Sequence, residues 1–405
     1  MVAGWRHVRW LSMCTGVVLL TAFAPAWGFD LDGDIDFYPF PTYNNSRNEG
    51  NTYGGVLVFL VVNKKHEIEH VIASLIQYND FTGWEGGLIA FGDPSDHQEY
   101  KVVFDWSQEI DREIRLAYDD RRFWDGKYDI GFKFEYDRQG TNRFFGLGPE
   151  SSQSNETNYG DEDLQASAHW GLNLTDHLTV GLGERYRSQS ISQGSVASVP
   201  FLDDHFPGVR GVHGLGLVGT NIYLTFDTRD NAETPREGEY YSASVDGVTG
   251  ISNDTPSAYQ RYSFEGKKYI PFGDDRQFVL VVRGRLEFQS GPQAPFNDQS
   301  SLGGESTLRA FGDDRFIDRH FWLINVEQRI RIWRTSLWDY PIELEAAPFV
   351  DIGSVYSSFD NIAQDVQVNP GFAVRLLSRP NVVGGMSVSW GADGMLVVGG
   401  FSFPF

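Results

Sequence analysis

The sequence predicts an all-β protein, a transmembrane antiparallel β-barrel of sixteen strands in a bacterial outer membrane. Three observations lead there. Runs along most of the chain alternate apolar and charged residues at period two, short and long connections take turns between them, and an export leader precedes a chain lacking the ~20 consecutive apolar residues of a spanning helix. The 44 Gly and 15% aromatics suit strands with lipid on one face and a wet lumen on the other. A formal charge of −22 argues against nucleic acid as a partner.

The leader comes first. Arg6, His7 and Arg9 precede an apolar stretch from Leu11 to Phe23 and then small residues, which reads as a signal peptide over 1–28 cleaved after Ala26 or Gly28. Cys14, the only cysteine, lies inside it, so neither a lipid anchor nor a disulfide is expected. Residues 29–52 read as a short acidic periplasmic segment and 53–405 as the barrel. Within that segment Asp30-Leu31-Asp32-Gly33-Asp34-Ile35-Asp36 has calcium-loop spacing, yet Ile35 replaces the turn Gly and Pro41 stands at the bidentate acid position. A flexible acidic tail is the expectation.

The strands follow. Phe278, Leu280, Val282, Leu286 and Phe288 share one parity, whereas Arg283, Arg285 and Glu287 share the other. Trp322, Ile324, Val326, Ile330 and Ile332 likewise oppose Asn325, Glu327, Arg329 and Arg331, and Ile342 and Leu344 oppose Glu343, Glu345 and Asp351. The apolar set is expected to face lipid and the charged set the lumen, because an Arg or Lys on the lipid face costs roughly 2–4 kcal/mol at midplane. About seventeen such runs, from near Tyr53 to near Met395, can be marked; barrels of this kind use an even number, so one early run is expected to be divided in error. In the last run Phe401, Phe403 and Phe405 share a face expected to meet lipid, and this end resembles the terminal assembly signal of bacterial outer-membrane proteins.

Several motifs occur in a telling order. Phe144-Phe145-Gly146-Leu147-Gly148 comes first, then Leu224–Asn231 with Asp227-Thr228-Arg229-Asp230, and Pro235-Arg236-Glu237-Gly238. The loop Ser301–Gly312, with its tip Leu308-Arg309-Ala310-Phe311, precedes Asn325-Val326-Glu327-Gln328-Arg329 and Ala347–Val355, which contains Phe349-Val350-Asp351-Ile352-Gly353. Together these resemble the BamA and TamA superfamily of outer-membrane insertases and two-partner translocases. The resemblance implies that the tip folds back into the barrel, where Arg309 meets Asp351 with Glu327 nearby. Ala310 stands where the family usually has Gly, which matters if that position needs positive φ.

The resemblance also implies a function: assisting insertion or passage of protein or lipid at the outer membrane. Family members usually carry periplasmic POTRA domains ahead of the barrel, and the segment before Tyr53 is too short for one. A separate periplasmic partner protein or a second copy of the barrel is therefore expected, besides outer-membrane lipids and lipopolysaccharide. The alternative reading is a porin-like diffusion channel.

Enzyme chemistry is a distant third. Gly214, Gly216 and Gly219 spell a dinucleotide motif, but the residues that follow are strand-like, where a pyrophosphate site needs a helix. Gly385-Met386-Ser387-Val388-Ser389 lacks the final Gly of a nucleophile elbow. His66, His70 and His97 have no zinc spacing. No catalytic set, cofactor or metal is expected, and only a Ser/His/Asp lipase on the barrel wall keeps the enzyme reading open.

Overall fold

The computed structural model describes residues 34–46, 48, 50–62, 68–95, 97–252, 255, 258–337, 340–378, 382–400 and 403–405. The expected leader lies outside them. The chain forms one antiparallel meander in which each barrel strand pairs with the next. It begins with β1 (Asp34–Ser46), β2 (Gly50–Val62), β3 (Ile68–Asn79), β4 (Gly83–Ser95), β5 (Gln98–Ser107) and β6 (Arg112–Arg122). The middle holds β7 (Tyr128–Phe144), β8 (Thr157–Asn173), β9 (Leu178–Ser192), β10 (Gly214–Asp227), β11 (Gly238–Gly250), β12 (Tyr259–Phe272) and β13 (Phe278–Ser290).

A long loop then carries a small ribbon, β14 (Ser300–Leu302) with β15 (Phe316–Asp318). The barrel resumes with β16 (His320–Leu337), which pairs with β13, and ends with β17 (Tyr340–Tyr356), β18 (Gln367–Ser378), β19 (Val382–Gly391) and β20 (Gly394–Gly400). The barrel sheet has 18 strands rather than sixteen. β1 and β20 lie side by side, and no ladder joins them among the described residues, so the barrel is nearly closed.

The extra strand corrects the expectation for 29–52. The even number is reached by adding β1, not by merging two runs, and the barrel starts at Asp34 rather than near Tyr53. Asp34 and Asp36, which the calcium-like tract includes, are strand residues paired with β2. Pro39 and Pro41 hid this strand, since proline is confined to sheet edges, and β1 is an edge.

Side-chain parity sorts as charge burial demands. Arg283, Glu327, Arg329, Glu343 and Glu345 are buried inside the barrel, and Arg285 and Glu287 are half-buried on the same parity. Val282, Leu286 and Ile324 are exposed on the outer face, with Phe278, Leu280, Trp322, Ile342 and Leu344 partly covered beside them. One bulge, between Arg331 and Trp333, turns Ile332 and Trp333 outward in succession, while Arg331 pairs with Asp275 at 2.8 Å.

The two ends differ. At one end the two longest connections, 193–213 and 291–319, pack through Leu202, Val212, Phe296 and Ile317 onto Phe144 of β7 and Tyr159 of β8, forming a hydrophobic cap. At the other, Phe403 and Phe405 turn into the lumen instead of facing lipid, which corrects the expected outward stripe; Phe401 lies outside the described residues. Phe405 packs on Tyr269, Val279 and Val281. Phe403 lies 3.8 Å from the Arg329 guanidinium. Inward-facing valines and guanidinium faces thus give aromatic rings an attractive site inside the lumen.

Candidate functional site

The long loop, 291–319, enters the lumen and braces itself there. Gly303 and Gly304 have φ of +132° and +83°, and a Cβ on Gly303 would stand 2.2 Å from the Gly312 carbonyl, so glycine is required at that crossing. Thr307 Oγ1 accepts from the Gly303 amide at 2.8 Å, and the Phe311 amide donates to the Leu308 carbonyl at 3.1 Å. Leu308, Ala310 and Phe311 are fully buried with Leu302, Phe316, Phe321, Leu323 and Val355. Ala310 is not among the residues with positive φ, so it replaces glycine without backbone strain.

This packing aims Arg309 at the β16–β18 wall. Its Nε and Nη2 donate to the two oxygens of Asp351 at 2.9 and 2.7 Å, and Nη1 donates to Glu327 at 2.6 Å. Its guanidinium lies 3.4 Å from the Phe349 ring centre, and its carbonyl accepts from Ser389 Oγ at 2.7 Å. Glu327, wholly buried, also accepts from Arg329 at 3.0 Å and from Arg375 at 2.8 and 2.9 Å. Arg375 reaches Glu345 at 3.0 Å, and Asn325 bonds Asp351 at 2.8 Å. Arg309, Arg329 and Arg375 thus face Asp351, Glu327 and Glu345, a neutral sum that lets ions stay away from bulk water.

Sequence reasoning brought Arg309, Glu327 and Asp351 together and missed Arg375, Glu345 and Ser389 as members of the same network. Arg375 had a usable signal: it is the single charge in the run Phe372–Leu377, at the parity opposite to Phe372, Val374 and Leu376. Ser389 had none, because its role is set by the loop that reaches it.

The loop is anchored at three further points. Asp298 meets Arg185 at 3.2 Å and Arg261 at 2.8 Å, with Arg187 at 3.6 Å, and it accepts from the Tyr259 hydroxyl. Burial alone would raise its carboxyl, but Arg185, Arg261 and Arg187 hold it well below the usual carboxylate range. Arg315 pairs with Asp393 in the β19–β20 turn at 2.7 Å, bonds the Ser151 hydroxyl at 3.0 Å, and lies between the rings of Phe145 and Phe316. Two residues earlier the Asp313 carbonyl accepts from Asn48, in the β1–β2 turn, at 3.3 Å. The loop therefore touches both banks of the gap between β1 and β20.

The gap itself has a chemical cause. A Cβ built on Gly399 of β20 would stand 3.4 Å from the Tyr43 carbonyl oxygen of β1, so that carbonyl points across the seam. In an antiparallel strand the N–H and C=O of one residue point to the same side, and residues two apart share it. Pro39 and Pro41 have the parity of Tyr43, and the β1–β2 register runs past them unbroken. Their nitrogens face β20 with no hydrogen to donate.

The model of the Omp85 superfamily domain matches residues 98–393. The chain belongs to the Omp85 superfamily. Its fold is similar to that of BamA from Haemophilus ducreyi lacking POTRA domains 1–3, with TM-score 0.54 and 13% identity over 96% of this chain and 78% of that one. CdiB from Acinetobacter baumannii is similar at TM-score 0.50 and 14% identity, over 91% of this chain and 65% of that one. A SAM50-like protein of Schizosaccharomyces pombe is 27% identical over 152 residues, 36% of this chain and 31% of its own length. The chain thus spans about a third of that curated relative. As an Omp85 barrel it is embedded in a membrane, and its outer face meets lipid.

Proposed function

We propose that this barrel assists the insertion or passage of a protein or lipid at a bacterial outer membrane, working with a separate periplasmic partner, through transient parting of the β1–β20 seam. The observation that carries the reading is the seam. Every other neighbouring pair in the sheet is joined by a ladder, whereas here two prolines withhold donors and the long loop spans the gap through the Asp313 carbonyl and the Arg315 side chain. An unladdered edge is a template for strand addition. The similarity to BamA and CdiB supports a machine of insertase or translocase type.

The porin-like alternative has less support. The long loop and the Phe403 and Phe405 rings occupy the lumen, where a diffusion channel needs a continuous wet path. The test is a reversible lock: Tyr43→Cys with Gly399→Cys, oxidised to a disulfide across the seam. The oxidised protein, reconstituted in liposomes, should lose its ability to speed folding of an added outer-membrane barrel, and reductant should restore it. Full activity with the seam locked would remove the mechanism, and high ion conductance in the locked state would favour the channel.

A further inference from the structure

The outer faces of β1–β4 line up in level rows, because their ladders set like parities opposite one another. Tyr43 stands opposite Tyr53, Tyr53 opposite Tyr78, and Tyr78 opposite Trp84, making a continuous aromatic rail near the end that carries the long loops. Ring centres are 5.4 Å apart for Tyr43 and Tyr53, and 5.6 Å for Tyr78 and Trp84. The row beneath it toward mid-barrel aligns Gly55 with Ile76 and Gly86, and the next aligns Leu57 with Ser74. Gly55 and Ser74, set between Ile76 and Leu57 below the rail of rings, leave a shallow trough of about 610 Å³, bordered at one side by Pro39 and Phe40 of the edge strand β1.

We propose that this trough is a binding site for an acyl chain of a membrane lipid, seated crosswise over β1–β4 with its headgroup at the level of the rail. The site depends on membrane embedding and not on seam opening. Two features set the depth. The Tyr43 hydroxyl donates to Asn51 at 3.1 Å and Asn51 donates to Asp80 at 2.9 Å, so the outer surface turns polar immediately beyond the rail. Amphipathic rings of this kind settle at headgroup level, which places the trough among the first segments of the acyl chains.

The chemistry excludes other occupants. The outer face of a sheet offers no free backbone donors, so a client strand gains nothing there that the seam edge does not provide better. A volume near 610 Å³ lies within the range of small-molecule sites. Lipid is also the only solvent this face meets. A chain seated in the trough ends against Pro39, so the lipid covers the flank of the strand whose far edge borders the seam.

The test is native mass spectrometry of the full-length barrel released from vesicles of phosphatidylethanolamine and phosphatidylglycerol. One retained phospholipid per barrel is expected. Gly55→Phe, which projects a ring into the trough, should lower retention about tenfold, since it displaces roughly two methylenes of buried chain. Ile222→Phe on β10, equally exposed to lipid but away from the trough, should leave retention unchanged. If Gly55→Phe does not fold, Gly55→Ala serves, because its Cβ meets only the Phe40 carbonyl at 3.6 Å, and a smaller loss in the same direction is expected. Equal retention in the Gly55 and Ile222 variants, or a dimer that Gly55→Phe disperses, would overturn the site. The disulfide-locked seam should retain the lipid normally, so this proposal and the seam mechanism can fail independently.

Discussion

The β16–β18 wall and the β1–β20 seam hold the same barrel together by different means. On the wall, backbone ladders along β16–β17 and β17–β18, with one bulge between Arg331 and Trp333, back three buried guanidiniums and three buried carboxylates. Across the seam the connecting contacts are side-chain and loop contacts: Asn48 to Asp313, and Arg315 to Asp393. A backbone ladder is cooperative and register-specific, whereas two side-chain contacts can be released without disturbing the strands on either bank. The long loop belongs to both regions. Arg309 fixes it to the wall and Arg315, six residues on, fixes it beside the seam, so the rigid region sets the position of the device that holds the labile one.

The sharpest way to break the comparison is to remove Glu327. Glu327→Ala leaves Arg309, Arg329 and Arg375 buried without their shared carboxylate, and deleting one member of a buried ion pair costs about 3–5 kcal/mol. Urea unfolding of the detergent-folded barrel, followed by the loss of its heat-modifiable band, should show that drop. A change below about 1 kcal/mol would mean that water reaches the network and that the wall is no stiffer than the seam.

A smaller and more local effect is expected at the clasp. Arg315→Ala should cost about 1–2 kcal/mol, and with Asp393→Asn the double change should be less than additive, because both remove one charge-assisted pair. Amide exchange should quicken in β1 and β20 and stay slow in β16–β18. Equal quickening in both regions would show that the loop braces the whole barrel and is not specific to the gap.

The smallest effect should run the other way. Pro39→Val with Pro41→Val returns two donors to the seam edge of β1, each worth about 0.5–1.5 kcal/mol if it finds a carbonyl on β20. Slower amide exchange at β20 is expected. Unchanged rates would mean that strand curvature, not the missing donors, keeps the edges apart.

Much of the wall was legible in the sequence. The alternation around Arg283, Glu327 and Glu343 placed charges on one parity, and the energy of an ion in lipid decided which face that parity takes. The loop tip with Arg309 and the carboxylates Glu327 and Asp351 could be matched by motif order. Ser389 could not, because its partner is a carbonyl 80 residues away brought there by the fold of the loop.

The sequence by itself determined the fold class and the inward face of most strands, since period two and the cost of charge in lipid act locally along each strand. Only the tertiary structure decided three things. It made Asp34–Ser46 a strand, because two prolines are tolerated solely where one edge goes unpaired, and edge status is a property of the whole sheet. It turned Phe403 and Phe405 inward, because the Tyr269 ring, the valines and the guanidiniums that receive them come from β12, β13, β16 and β18. And it placed Asp313 and Arg315 over the gap between the first and last strands, a closeness that no spacing along the chain encodes.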